Sequence, residues 1–245
     1  MVLAYIIIFT SIGSISSLIG SYLLLFKQHL TQAFCTKLIS FAAGALLATA
    51  FLDLLPEASD LAVDKNIFIP ALLGFVSFFF AERYIRLFHF HHGHGDKPST
   101  FLVIFGDGIH NFIDGVTIAA AFMTSIPLGI TASFAVAAHE IPQEIADMGV
   151  LLANGLSKMK ALILNSLSAL TAFAGALTAF FIISFINQYL YFFLAVAAGH
   201  FIYIAASDLI PEIHEDLQKR KGLETAIIFI LGILAVYLFT ILFEA

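Results

Sequence analysis

The chain has no tryptophan, a single cysteine and few charges, with Asp, Glu, Lys and Arg making up 11% of its 245 residues. Each scarcity excludes something. Cys35 has no partner within the chain, so an internal disulfide framework is ruled out, and its thiol reads as a structural one in a short connection. The 11 lysines and arginines are too dispersed to form a basic stripe, which argues against a nucleic acid partner despite the charge imbalance of −6, since the excess acid falls within apolar stretches or at their ends. What is abundant is hydrophobic sequence: 60% of residues and a mean hydropathy of +0.99. Apolar runs of about 20 residues recur along the whole length, as helical crossing of a bilayer core requires.

The expected fold is therefore an all-α polytopic membrane protein, one domain over residues 1–245, with the lipid bilayer as its surroundings. Eight spans are predicted at about 2–26, 38–58, 66–88, 100–124, 128–154, 159–184, 188–213 and 223–243. The first has no basic region ahead of it and outruns a signal-peptide core, so it reads as a signal anchor. Lys27 and Lys37 flank the first connection, Arg83, Arg86 and Lys97 the third, Lys158 and Lys160 the fifth, and Lys219, Arg220 and Lys221 the seventh. Ten of the eleven cations thus share one side, only Lys65 standing on the other. By the positive-inside rule that side is the cytoplasm, and both termini lie outside it.

An internal repeat relates the second and seventh spans. Ala42-Ala43-Gly44 precedes Asp53-Leu54-Leu55-Pro56-Glu57 as Ala197-Ala198-Gly199 precedes Asp208-Leu209-Ile210-Pro211-Glu212, at a constant offset of 155 residues. The two copies run in opposite directions in this topology, which predicts an inverted repeat of spans 1–3 against 6–8 around a central hairpin of spans 4 and 5. One copy alone would read as proline and acid ending a helix at the interface. Two copies read as cation funnels, Asp53 and Glu57 at one mouth and Asp208 and Glu212, helped by His214, Glu215 and Asp216, at the other.

In the fourth span Asp107, His110, Asn111 and Asp114 fall at i, i+3, i+4 and i+7, on one narrow helical face. In the fifth, His139, Glu140, Gln143, Glu144 and Asp147 cover a wider arc, and the short Ser125-Ile126-Pro127 connection folds the two helices back on each other with both histidines near the midplane. A carboxylate at the bilayer centre costs on the order of 3 kcal/mol, so the five acids here would cost roughly 15 kcal/mol without compensation. No lysine or arginine lies between the motifs to supply it. A bound divalent cation would, as would protonation, and the two can alternate. Pro142 frees the carbonyl of Ala138 and is expected to bend the helix beside His139. Imidazole, carboxylate and amide oxygen suit zinc, iron or manganese, and the absence of thiolate argues against copper(I). Interhelical hydrogen bonding would explain Asn111 or Gln143 singly, but not two histidines and several acids on facing arcs. A separate His-rich stretch, 89–98 with His89, His91, His92 and His94, reads as a solvated loop or a weak metal buffer.

The run from Gly106 to Gly115, Gly-Asp-Gly-Ile-His-Asn-Phe-Ile-Asp-Gly, and the run His139-Glu140-Ile141-Pro142-Gln143-Glu144 resemble the signatures of the ZIP (Zrt/Irt-like protein) metal transporters, most like the subgroup with HNFxDG and HExPxE motifs. Eight spans, outward termini and a His-bearing cytoplasmic loop also resemble that family, over essentially the whole chain. The resemblance implies transport of zinc, with iron or manganese as alternatives, toward the cytoplasm across a plasma or inner membrane. It implies no enzyme activity, no organic cofactor, a binuclear site on helices 4 and 5, and suggests a homodimer. Carried over residue by residue, His110, Asp114, His139 and Gln143 contribute to one metal position and Asn111, Asp114 and Glu140 to its neighbour, Asp114 bridging. Gln143 departs from the pattern, many members having a second histidine there. Glu144, about 100° around the helix from Gln143, belongs to the same motif and serves as ligand, helix contact or proton carrier. Asn165 either faces the site or packs, and His200, which aligns with Ala45 in the repeat, is a pathway ligand or a buried hydrogen-bonding group.

Two rival functions use the same residues. His139-Glu140-Ile141-Pro142-Gln143 is one histidine short of the HExxH zinc site of intramembrane metalloproteases, and without that second ligand a water-activating zinc is not held. A passive metal channel or sensor would need the ligands but no alternating access.

Overall fold

The computed structural model describes residues 1–26, 32–89, 100–185, 187–216 and 222–244. The His-rich loop beyond His89, and Lys27, Lys97, Lys219, Arg220 and Lys221, lie outside the described residues. Among those described there is no strand, and the regular structure is helical throughout: α1 (Val2–Phe26), α2 (Gln32–Ala48), α3 (Leu55–Ala62), α4 (Phe68–His89), α5 (Thr100–Thr124), α6 (Ile126–Ala153), α7 (Lys158–Ala169), α8 (Thr171–Phe185), α9 (Leu190–Tyr203), α10 (Ile210–Asp216) and α11 (Gly222–Glu244).

Helices α2 and α3 are joined without interruption by a π-helical turn, Thr49–Leu54, and α9 and α10 by another, Ile204–Leu209. Each turn stands immediately before the proline of Asp-Leu-x-Pro-Glu. A proline commonly ends a helix, yet both helices run on past it. Pro56 cannot donate to the carbonyl of Leu52, and its ring would crowd that oxygen; a widened turn ahead of it relieves both problems. The second span consequently reaches from Phe34 to Ala62, longer than the expected 38–58. Cys35, expected in a connection, sits in the first turn of α2.

Local chemistry sets the other boundaries. Ser125 caps α6 by accepting the Leu128 amide at 3.2 Å, with proline in the first turn. At the far end Gly155 takes φ +88° while Gly155 and Leu156 donate back to Leu152 and Leu151, a left-handed cap that glycine adopts without strain. Pro142 lies inside α6, which continues across it.

Among the described residues, five helical runs are long and apolar enough to cross a membrane: Val2–Ile19, Phe34–Ala62, Lys158–Ile183, Leu190–His214 and Gly222–Leu242. Their large apolar side chains face outward, as Ile8, Ile12 and Ile15 of α1 and Leu231, Leu234 and Leu238 of α11 do. That inside-out pattern is what hydrocarbon surroundings permit. The protein is thus an all-helical polytopic membrane protein.

The acid-bearing helices α5 and α6 are central. Helix α5 packs on α8, α6 on α1, α2 on α11 and α4 on α9. The α5–α8 seam shows why these pairs approach so closely. A Cβ on Gly115 would stand 1.9 Å from the Ala172 carbonyl oxygen, and one on Gly175 would stand 1.9 Å from that of Phe112. Only hydrogen fits at either position, and each backbone rests against the other. Gly175→Ala is expected to wedge the seam open at a cost of about 2 kcal/mol, lowering the melting temperature in detergent by roughly 4–8 °C. An unchanged transition would contradict the contact.

Candidate metal centre

The α5–α6 hairpin brings four side chains from the two motifs to one point. One donor atom from each of His110, Asp114, His139 and Glu140 lies within 4.8 Å of the other three, and all four residues are buried. His139 Nε2 stands 3.0 Å from Asp114 Oδ2, 3.2 Å from His110 Nε2 and 3.7 Å from Glu140 Oε1. His110 Nε2 is 3.4 Å from Glu140 Oε1 and 3.6 Å from Asp114 Oδ2.

Helix spacing explains the convergence. His110 and Asp114 are four residues apart on α5, hence stacked on one face, while His139 and Glu140 are neighbours on α6 straddling the line that faces α5. The His139 ring is fixed by its other nitrogen. Nδ1 donates to the Ala135 carbonyl at 3.0 Å; a carbonyl can only accept, so Nδ1 carries a proton and the ring is anchored with Nε2 facing Asp114 and His110. This is the orientation a metal-ligating histidine takes. Nε2 therefore points into a space shared with a second imidazole and two carboxylates. Asp114 Oδ1 and both oxygens of Glu140 have no hydrogen-bond partner among the described residues. Electron-rich atoms this close, out of water, are tolerable only around positive charge. Two imidazoles and two carboxylates make a four-donor set suited to zinc.

The remaining expected site residues sit elsewhere. Asn111 is buried beside the cluster, but its Nδ2 donates to Asp107 Oδ1 at 2.9 Å and to the Asp107 carbonyl at 3.2 Å. Gln143, partly buried, lines a cavity of about 600 Å³ that abuts the cluster at His110. Glu144, one helical turn from Glu140, is engaged by α7 and α1. Asn165 Nδ2 donates to Glu144 Oε2, and Ser21 Oγ of α1 donates to the Glu144 carbonyl at 2.9 Å. Asn165 also donates to Ser21 Oγ at 3.0 Å, so it ties α7 to α6 and α1.

The cavity walls include Cys35, Phe78, Asp107, His110, Gln143, Asp147, Asp208 and Glu212. Of these, Phe78 and Cys35 carried no signal in the sequence, one being an aromatic among many and the other a lone thiol. The two copies of the repeat differ in their surroundings. Asp208 and Glu212 line the wall, whereas Asp53 of the other copy is buried and accepts a hydrogen bond from Thr240 Oγ1 of α11 at 2.7 Å. The end with the cavity is where α4 finishes and α5 starts, the side to which sequence assigned the cations.

Comparison with known proteins identifies the family. The chain is 41% identical over 131 residues to zinc transporter ZIP10 of Danio rerio, covering 53% of this chain and 16% of the relative. It is 41% identical over 123 residues to zinc transporter ZIP4 of Homo sapiens, covering 50% of this chain and 19% of the relative. An uncharacterized zinc transporter of Schizosaccharomyces pombe is 38% identical over 139 residues, of which it contributes 31% of its length. The chain thus spans less than a third of the length of the curated relatives it matches. The family model described as ZIP zinc transporter matches residues 89–240, well over half of the chain and inclusive of all four clustered donors. On that match the chain belongs to the ZIP family, whose members are transporters and not enzymes.

Proposed function

We propose that this protein carries divalent transition metal ions, zinc foremost, through the membrane toward the cytoplasm by way of the His110, Asp114, His139 and Glu140 cluster. The observation that carries the proposal is the convergence of two imidazoles and two carboxylates, one imidazole anchored through its Nδ1, beside a cavity walled by His110, Asp208 and Glu212. A structural zinc would not need a cavity leading to it. Asp114 bridges two positions in this proposal, with Asn111 and Gln143 completing a binuclear site through their amide oxygens. Iron and manganese fit the same nitrogen and oxygen donors less selectively. Glu144, engaged with Asn165, serves helix contact and stands outside the ligand set.

The scaffold consists of eight crossings, with spans 1–3 and 6–8 as inverted repeats. Three features support this. The two π turns are separated by the same 155 residues as the motifs. The seams repeat as well. A Cβ on Gly44 would meet the Phe229 carbonyl of α11 and one on Gly199 the Ala71 carbonyl of α4, while Gly232 meets Phe41 and Gly74 meets Val196. Finally, the helix pairs α2–α11 and α9–α4 exchange under the repeat, as do α1–α6 and α8–α5. Equivalent sequences in unlike settings, one Asp-Leu-x-Pro-Glu sealed and the other on an open cavity, are what alternating access produces, and favour a carrier over a channel. The open side is the cytoplasm, both termini lie outside it, and the membrane is the plasma or inner membrane. A homodimer would form through the scaffold.

Purified protein in liposomes is expected to take up tracer zinc at a saturable rate, with Mn²⁺ and Fe²⁺ competing weakly. An absence of uptake by folded, inserted protein would overturn the proposal; conductance without saturation would favour the channel.

A further inference from the structure

His200 of α9 is buried, and neither of its ring nitrogens has a hydrogen-bond partner among the described residues. A neutral imidazole has one donor and one acceptor, and buried polar groups of this kind are nearly always paired. Packing does not account for the ring. In the repeat copy the equivalent position, 155 residues earlier, is Ala45, which is completely buried. The helix seam is therefore built successfully with a methyl group there.

The surroundings of His200 indicate what it is for. Its centroid lies 5.6 Å from that of His110 with the planes at 67°; the His110–His139 pair, whose Nε2 atoms face each other across the cluster, is 5.4 Å apart at 76°. Two imidazoles at that separation can share one ion. Phe78 packs against His200 with centroids 4.1 Å apart and planes tilted at 43°, and meets the His110 ring edge-on at 5.5 Å. Phe78 and His110 line the cavity, and the wall residue nearest in sequence to His200 is Ile204, the first of the π turn that follows α9 and one helical turn from His200. His200 thus stands behind Phe78, past the blind end of the cavity.

We infer that His200 is a further nitrogen donor to the transported ion, sharing it with His110 at a position beyond the four-donor cluster, on the side away from the open cavity. The inference rests on the metal-carrying reading of the cluster. It assigns a cation class: imidazole donors favour zinc and similar borderline ions over manganese, whose preference is for oxygen.

His200→Phe keeps an aromatic ring against Phe78 and removes both nitrogens, and His200→Ala installs the residue of the repeat copy. Zinc and manganese binding are measured by calorimetry in detergent and tracer uptake in liposomes, beside wild type and His110→Ala. Both His200 variants are expected to lose about tenfold in zinc affinity and uptake, with manganese changing less than about twofold. Zinc binding at the wild-type level in either variant, or an equal loss for both metals, would overturn the inference. The failure of the transport reading looks different: wild type would bind zinc without moving it, and the calorimetric comparison would still decide the role of His200.

Discussion

Asp114→Ala is expected to lower zinc uptake into liposomes by more than about 100-fold, since even the loss of groups that only support a metal ligand costs 10- to 100-fold. Asp114 is the donor with most at stake, because Oδ2 lies close to both imidazoles, 3.0 Å from His139 Nε2 and 3.6 Å from His110 Nε2. Stability is expected to move the other way. Oδ2 is hydrogen-bonded to His139 Nε2 at 3.0 Å, but the carboxylate is buried and its Oδ1 has no hydrogen-bond partner among the described residues. Its removal relieves a cost that function imposes. The metal-free variant should therefore melt no lower than wild type. Zinc at 100 times the dissociation constant should raise wild-type stability by about 2.7 kcal/mol, a melting shift of roughly 5–10 °C that the variant lacks. Uptake within threefold of wild type, or a retained zinc shift, would contradict the role of Asp114.

Modification of Cys35 is expected to be nearly as severe. The thiol is half-buried on the wall of the same cavity as Asp208 and Glu212. A trimethylammonium-bearing methanethiosulfonate would place bulk and a fixed positive charge beside the carboxylates that draw cations to this mouth. Zinc uptake should fall by at least about tenfold, because like charge and occluded volume oppose the ion together. Reagent added on the cavity side should act, reagent confined to the other side should not, and Cys35→Ser should be resistant while transporting normally. Equal effects from both sides would contradict a cavity open at one end.

The residues differ in how much of their role could be read from sequence, and the reasons are physical. His110 and Asp114 were legible because one helical turn separates them and nothing else in hydrocarbon compensates a carboxylate. His139 and Glu140 were legible for the second reason, and the short Ser125 connection oriented them toward α5. The fate of Glu144 was not: its side chain is settled by Asn165 of α7 and its carbonyl by Ser21 of α1, partners more than 20 residues distant whose placement periodicity does not give. The prolines gave no sign of the π turns. A lost amide and a ring clash commonly end a helix, but at Pro56 and Pro211 a π turn absorbs the clash and the helix continues. The cavity was invisible because it lies where α2, α4, α5, α6, α10 and the π turn before α10 part from one another. The repeat was legible as a motif, yet its unequal environments required coordinates, one Asp on an open wall and its counterpart bonded to Thr240.

Anomalous diffraction at the zinc edge, from crystals soaked in zinc, tests the cluster most directly. A principal peak is expected within about 2.0–2.2 Å of His110 Nε2, His139 Nε2 and an oxygen of Asp114 and of Glu140, lost in Asp114→Ala crystals. Zinc bound elsewhere in the protein, with no peak between those four side chains, would contradict it.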